Sequence, residues 1–199
     1  MQESIGAAIR RRYLKRYLPD VKSTKFNSLD AGAGDGKYRG LVESKGYKYY
    51  GIDKEPKADF IKKADIIKKI PFENNFFDTC ICIDVIEEIV KVKQAIREIH
   101  RVLKTPSLLI LHTPNSEQTH ILADFLDNPN HVRKGFIKAE LYNLLSEFAS
   151  VEIFPTFNIL ECIAWELINL QGEKTNLDRM FVFHPDNYKN LGWVVRCLK

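Results

Sequence analysis

The stretch Phe26 to Tyr38, FNSLDAGAGDGKY, decides how the rest of the chain is interpreted. Its first half, Phe26 to Ala31, predicts a short buried strand that runs directly into a turn. The turn is glycine-rich, because Gly32, Gly34 and Gly36 alternate with small or polar residues. Glycine is used where the backbone needs a positive φ or must lie against a ligand.

A helix is predicted to follow the turn, because apolar residues recur at helical spacing over residues 38–45. This order brings backbone N–H groups to a helix N-terminus, a geometry that binds anions and polar ligands. Several nucleotide-binding folds share the order, so the glycine spacing has to distinguish them. A dinucleotide fingerprint needs G-x-G-x-x-G, and Lys37 stands in place of its last glycine. A phosphate loop needs G-x-x-x-x-G-K-[ST], and Ala31 stands in place of its first glycine.

The pattern that fits is an acid followed by G-x-G-x-G, from Asp30 to Gly36. It resembles motif I of the class I S-adenosylmethionine (SAM)-dependent methyltransferases. The resemblance implies an α/β, Rossmann-like sheet of seven strands, six parallel and the seventh antiparallel, with helices on both faces. It also implies SAM as the cofactor and S-adenosylhomocysteine (SAH) as the product. The cofactor-binding residues that it assigns to this loop are Asp30, which would orient the methionine amino group, Ala31, Gly32, Ala33 and Gly34.

The composition is that of a globular chain with a sizeable core, since 45% of its 199 residues are hydrophobic. We expect a single domain over residues 1–199. No apolar run reaches the roughly 18 residues of a membrane span, and the N-terminus lacks the apolar core of a signal peptide, so a cytoplasmic protein is expected. The net charge of +4 is too small to argue for nucleic acid. Four cysteines without a C-x-x-C pair predict no metal site.

A basic amphipathic helix is predicted over residues 5–18, with Ile9, Tyr13 and Tyr17 on its apolar side. The favoured interpretation is a helix packed on the domain with a solvated basic side. The alternative, to which the resemblance lends weight, is a cap over the cofactor or substrate mouth.

A second strand is predicted over residues 48–53, and it ends in an acid, Asp53. In nucleotide-binding α/β folds an acid at this position accepts hydrogen bonds from the ribose hydroxyls. A turn aspartate is the alternative, since Pro56 follows, but the distance from the glycine loop favours the ribose role. Lys54 is assigned to the cofactor site together with Asp53.

A third, short strand is predicted over residues 58–61, and the segment after it resembles the adenine-binding part of the same family. Asp65 would take the adenine amino group and Ile66 would lie against the ring; a turn is the alternative role for Asp65. Residues 70–78 resemble the family segment that leads into the fourth strand, predicted over residues 77–83.

The fourth strand is almost entirely apolar, which is typical of a central parallel strand covered on both faces. Cys80 and Cys82 alternate along it and are predicted to share one face. The resemblance continues after the strand, where it places Asp84 and Val85 at the adenine end of the cofactor. Glu88 replaces the family's customary histidine and brings a negative charge instead.

A helix is predicted over residues 92–103, a turn at 105–107 and a fifth strand over 108–112. Residues 127–136 and the predicted helix 138–148 again resemble the family. His131 is the candidate catalytic base, because it is expected in a loop above the strand ends and histidine titrates near neutrality. An anchoring role for His131 is the alternative. His112 is a weaker catalytic candidate, and His120 is weaker still.

The last two strands are predicted over residues 151–154 and 193–198. A helical insertion at about 158–190 separates them and is expected to pack across the substrate side or to form a homodimer contact.

The motifs follow the family order over about residues 25–155, so we expect a SAM-dependent methyltransferase that works by direct displacement. The Asn/Asp-Pro-Pro-Tyr motif of nucleobase and glutamine methylation is absent after the fourth strand. A small-molecule, lipid or glycan acceptor is therefore expected. The alternatives are a non-catalytic SAM-binding regulatory module, a nicotinamide-dependent oxidoreductase, which lacks its Tyr-x-x-x-Lys pair, and a nucleic-acid methyltransferase suggested by Arg10 to Arg12.

Overall fold

The computed structural model describes residues 5–22, 25–117, 132–156, 190 and 192–199. Three predictions fall on other residues: the roles of His131 and His120, and the insertion at 158–190 apart from Asn190. They lie outside the described residues.

One seven-stranded sheet organises the described part of the chain. Its strands are β1 (Asn27–Ala31), β2 (Lys48–Asp53), β3 (Ile61–Lys63), β4 (Phe77–Ile83), β5 (Leu103–Pro114), β6 (Ser150–Thr156) and β7 (Gly192–Leu198). Their order across the sheet is β3-β2-β1-β4-β5-β7-β6. β7 runs antiparallel to its neighbours β5 and β6, and the other strands share one direction. The predicted fold is thereby confirmed.

Helices cover both faces of the sheet. They are α1 (Ile5–Tyr17), α2 (Arg39–Ser44), α3 (Val92–Val102) and α4 (Lys138–Leu144), and a 3-10 turn spans Ile86–Glu88. Strand β4 shows how the faces differ, because successive side chains point to opposite sides. Cys80 and Cys82 pack into the core beneath α3 and α4, as predicted for one shared face, and Ile81 and Ile83 pack beneath α1 and α2.

Helix α1 docks through leucines. Leu14 and Leu18 are buried against the sheet, and Ile9 is also buried. Tyr13 and Tyr17, which were predicted to lie in the apolar stripe, are only half-buried and stack on each other. The packed helix agrees with the favoured prediction, and one arginine of its basic side reaches the strand ends, as described below.

Two element predictions are wrong in position. β3 occupies Ile61–Lys63 instead of residues 58–61, because only Ile61 to Lys63 pair with β2. Phe60, which the prediction included, is 47% exposed. The turn predicted at 105–107 lies within β5, at an irregularity where the pairing with β4 jumps from Leu103 to Leu108. Proline is tolerated there because it has no N–H to donate to a ladder. Helix α4 also ends earlier than predicted, at Leu144.

The order of the strands reverses between β1 and β4. Chain connections leave β1 toward β2 and β3 on one side, and β4 toward β5 on the other. In open α/β sheets, ligands bind at such a point, outside the carboxyl ends of the strands. Most of the predicted site residues lie at this edge.

Candidate active site

The glycine loop leaves β1 in a left-handed conformation, with φ values of 81° at Gly32, 57° at Gly34 and 76° at Gly36. A Cβ at Gly32 would lie 2.3 Å from Val85 Cγ2, so this glycine is needed for close packing. A Cβ at Gly34 would meet no atom within 4 Å. The loop therefore presents bare backbone to open space at Gly34.

The N–H groups of this loop are used within the protein, contrary to the prediction that they await a ligand at a helix end. Gly32 and Ala33 donate to the Ile52 carbonyl at 2.9 and 3.0 Å, and Gly36 donates to the Ala33 carbonyl at 2.8 Å. Helix α2 begins only at Arg39, after a turn. The Ile52 carbonyl of β2 and a short turn, not the helix, thus fix the loop.

Asp53 is bound to the loop through its carboxylate. Gly34 N–H donates to Oδ2 at 2.8 Å, and Glu55 N–H donates to Oδ1 at 2.8 Å. The side chain is half-buried at the carboxyl end of β2, and Lys54 beside it is exposed. Each carboxylate oxygen can accept a further hydrogen bond, so the carboxylate has the acceptor capacity for the predicted contact with two ribose hydroxyls.

Asp30 is buried and only 2% exposed to solvent. Tyr49 donates a hydrogen bond from its hydroxyl to Oδ2 at 2.7 Å. Burial raises the pKa of Asp30 to about 7, against the lowering effects of the Tyr49 hydrogen bond and the Lys37 charge. A cation placed beside this carboxyl would favour its charged form.

Asp65 and Ile66 follow β3 closely, and Ala64 N–H donates to the Asp53 carbonyl at 2.8 Å. Asp65 Oδ1 accepts a hydrogen bond from Ile67 N–H at 3.1 Å, which is the turn role weighed above. Ile66 is buried in the core. Their adenine contacts stay predictions.

Asp84 is the centre of a charged cluster that the sequence did not predict. It has a left-handed backbone (φ 54°) directly after β4. Oδ2 forms an ion pair with Arg10 of α1, and Oδ1 lies 2.5 Å from Nδ1 of His112 in β5. Burial would raise the pKa of Asp84, but the charges and hydrogen bonds of His112 and Arg10 outweigh it and lower the pKa to about 2.

Glu87, rather than its neighbour Glu88, is the buried acid after β4. Its side chain is fully buried and Glu88 is exposed. Thr113 donates a hydroxyl hydrogen bond to Oε2 at 3.0 Å, while Oε1 has no hydrogen-bond partner within the described part of the chain. Burial, with a smaller contribution from the charge of Asp84, raises the pKa of Glu87 to about 8. Glu88, which stands in place of the family's customary histidine, is thus outside the buried part of this segment.

The structure thus brings together the glycine loop, Asp30, Asp53 and Val85 at one edge of the sheet. Within the part of the chain that the structure describes, no group of three potential metal ligands occurs. In those same residues, none of the helices is long and apolar enough to cross a membrane.

Comparison with known proteins finds one family model that matches part of the chain. Residues 29–111 match the family model described as "Methyltransferase domain". No curated protein matches the chain.

The fold is shared with solved structures of low sequence identity. A SAM-dependent methyltransferase from Archaeoglobus fulgidus is 19% identical, with 96% of this chain and 94% of that chain covered and a TM-score of 0.68. A possible histamine N-methyltransferase from Thermotoga maritima is 15% identical, with 96% and 88% covered and a TM-score of 0.65.

A third similar structure is phosphoethanolamine N-methyltransferase 2 of Haemonchus contortus in complex with SAM. It is 16% identical, with 96% of this chain and 52% of that chain covered and a TM-score of 0.66. The match over residues 29–111, the motif series and the strand order all agree with a class I SAM-dependent methyltransferase domain.

Proposed function

We propose that the chain transfers the methyl group of SAM to a small-molecule, lipid or glycan acceptor, and that it does so at the carboxyl edge of the sheet. The observation that carries the proposal is the link between the loop and β2. Gly34 is held by Asp53 and is open above its Cα, so a ligand can approach the backbone and the carboxylate together.

The chain's own groups fit SAM. Asp53, with Lys54 beside it, would hold the ribose, and Asp30 would favour the methionine ammonium. The loop residues Ala31, Gly32, Ala33 and Gly34 would line the methionine side. Asp65, Ile66, Asp84 and Val85 would enclose the adenine end. His131 stays the predicted catalytic base.

SAM, when bound, supplies a methyl group attached to a sulfonium sulfur, and that sulfur is the leaving group. The protein then has to hold an acceptor in line with that methyl group and keep water out. Helix α1 suits the second task, because it lies over the sheet and its Arg10 reaches the end of β4. This geometry supports the cap function that was the alternative prediction for α1.

The test is calorimetric titration of the purified protein with SAM, SAH and NAD. We expect SAM and SAH to bind with dissociation constants on the order of micromolar, as for many enzyme ligands, and NAD not to bind. Asp53→Ala should weaken SAM binding by about tenfold or more, because hydrogen bonds to a charged group are lost.

Asp59→Ala is the matched control, since Asp59 is an exposed acid a few residues away; it should bind SAM like the wild type. A folded protein that binds neither SAM nor SAH would refute the proposal. Binding without turnover of any acceptor in a panel of small molecules, lipids and glycans would favour the regulatory-module alternative.

A further inference from the structure

A histidine and a carboxylate meet at the carboxyl ends of β4 and β5, on the side of the sheet that α1 covers. His112 pairs with Ile83 across the two strands, which places its side chain next to Asp84. Nδ1 of His112 lies 2.5 Å from Asp84 Oδ1, and the imidazole is 7% exposed. We call these two residues the His112–Asp84 pair.

The pair has a fixed orientation. Asp84 is held by an ion pair with Arg10, and its carboxylate accepts a hydrogen bond from Nδ1 of His112. A carboxylate on one ring nitrogen leaves the other nitrogen as the free acceptor. The remaining nitrogen of His112, Nε2, then carries the lone pair.

Within the described residues, the hydrogen bond of the His112 side chain is made by Nδ1, and none is made by Nε2. It lies near the start of β7, where a Cβ at Gly192 would be 3.1 Å from Nε2 and 2.9 Å from Thr156 Oγ1. Glycine at this position keeps a side chain away from Nε2 and from Thr156 Oγ1.

A polar group on the α1 side is unsatisfied. The hydroxyl of Tyr38 is buried without a hydrogen-bond partner among the residues that the structure describes, and the residue is 2% exposed. The charges of Arg10 and Asp84 both influence its pKa, which burial raises. Buried polar atoms are normally paired, so the unpaired Tyr38 hydroxyl indicates a place for a polar ligand on this side of the sheet.

We propose that His112, oriented by Asp84, is the catalytic base of this enzyme and that its acceptor carries a hydroxyl group. The inference rests on the proposed methyltransferase function and deepens it. As the acceptor reacts, its O–H bond breaks, the electron pair stays on oxygen, and the proton moves to Nε2 of His112. Solvent later removes the proton from the imidazole.

The class of acceptor follows from the need for a base. A neutral amine attacks with a lone pair that it already has, and it loses its proton afterwards. A hydroxyl group is a poor nucleophile until a base takes its proton during attack. A free imidazole nitrogen held by a carboxylate therefore suits a hydroxyl acceptor. His112 and the predicted base His131 are competing candidates for one role.

The first measurement is NMR of the ¹⁵N-histidine-labelled protein at mildly alkaline pH, with His112→Gln to assign the signals. The proposal requires Nδ1 of His112 to be protonated and Nε2 to be bare. Asp84→Asn should redistribute the proton between the two nitrogens. A proton found on Nε2 in the wild type would overturn the proposal without reference to SAM.

The second measurement is SAH release with SAM and three hydroxyl probes, methyl glucoside, catechol and a fatty alcohol, and with ethanolamine as an amine probe. His112→Gln should lower the hydroxyl rate about 100-fold or more while calorimetry shows unchanged SAM binding. His100→Gln, a change of the same kind on α3, should leave both unchanged.

Each remaining result has a definite meaning. Equal hydroxyl rates in wild type and His112→Gln would overturn the proposal, and so would SAM binding with turnover of ethanolamine alone or of no probe. Failure of the wild type to bind SAM would instead refute the proposed function. The NMR measurement does not use SAM, so its result on the His112–Asp84 pair would be unaffected.

Discussion

Gly32 and Gly34 are both left-handed glycines of one loop, yet they serve different purposes. Gly32 lies against Val85, which leaves no space for a side chain, whereas Gly34 faces open space. Gly32 is therefore required for close packing, and Gly34 keeps the backbone accessible to a ligand.

Alanine at each position should separate these purposes. Gly32→Ala should cost about 2–4 kcal/mol of stability, from the left-handed backbone and the clash with Val85. Gly34→Ala should cost only about 1–2 kcal/mol, from the backbone alone, but should weaken SAM binding. Urea denaturation and calorimetry measure the two effects.

Val85→Ala provides a check on the steric argument, because it removes both methyl groups nearest to Gly32. The double variant Gly32→Ala/Val85→Ala should be more stable than the sum of the single changes indicates. Strict additivity would contradict the packing role of Gly32.

The predictability of the site also depends on single residues. Asp30, the glycines and Asp53 belong to local patterns with a fixed order, so they could be found from the sequence. The ion pair between Arg10 and Asp84 could not, because an arginine on a basic helix is usually solvated and nothing in the spacing shows which one turns inward. The register of β4 and β5 that joins Asp84 to His112 is likewise a property of the folded sheet.

Among the elements, α3 does more than cover the sheet, because Arg101 near its end binds the segment that leads into β4. The guanidinium donates to the Ile70 carbonyl at 2.9 Å, the Phe72 carbonyl at 3.0 Å and Asn74 Oδ1 at 2.8 Å. It also donates to Glu98 at 2.7 Å. One side chain thus satisfies several acceptors of an irregular segment.

Arg101→Lys should destabilise the protein by about 1–3 kcal/mol, since an ammonium group cannot reach these acceptors at once. Arg97→Lys on the same helix is the control. Arg97 is 61% exposed and has one ion pair, with Glu147 at 3.2 Å, so its replacement should change stability by less than about 0.5 kcal/mol. Denaturant midpoints decide; equal effects of the two variants would show that the network contributes nothing.

Strands β4 and β3 show how burial affects what the sequence can predict. β4 matches its predicted bounds because every residue but one in it is buried. β3 does not, because only its first residue is buried and its remaining lysines join the sheet through backbone pairing with β2. An edge strand of this kind has no hydrophobic pattern from which its bounds could be predicted.

At the scale of the whole molecule, acids accumulate at one edge of the sheet. Asp30, Asp84 and Glu87 come from β1 and from the end of β4, and all are largely withdrawn from water. Only Asp84 has cationic partners close enough to keep it charged well below neutral pH. The other two acids make the stability of the fold depend on pH near neutrality.

The sign of that dependence follows from linkage. An acid whose pKa is raised by folding binds its proton more tightly in the folded state, so its contribution is fully present below the unfolded pKa and is lost as the pH rises. For Glu87 the loss extends from its ordinary value of 4.5 to about 8, and for Asp30 from 3.8 to about 7. Within its window, each acid lowers the free energy of unfolding by about 1.4 kcal/mol per pH unit.

Glu87→Gln should therefore flatten the decline of stability with pH, most clearly between the two folded values, where Glu87 alone still binds its proton. Urea denaturation at several pH values across that window measures the slope, and the slope, unlike the absolute stability, is insensitive to the altered bond with Thr113. Glu88→Gln, which removes an exposed neighbouring acid, should keep the wild-type slope. If Glu87→Gln retains the wild-type slope as well, Glu87 is already ionised in the folded protein across this pH window. The surroundings of its carboxylate would then be more polar than its complete burial indicates.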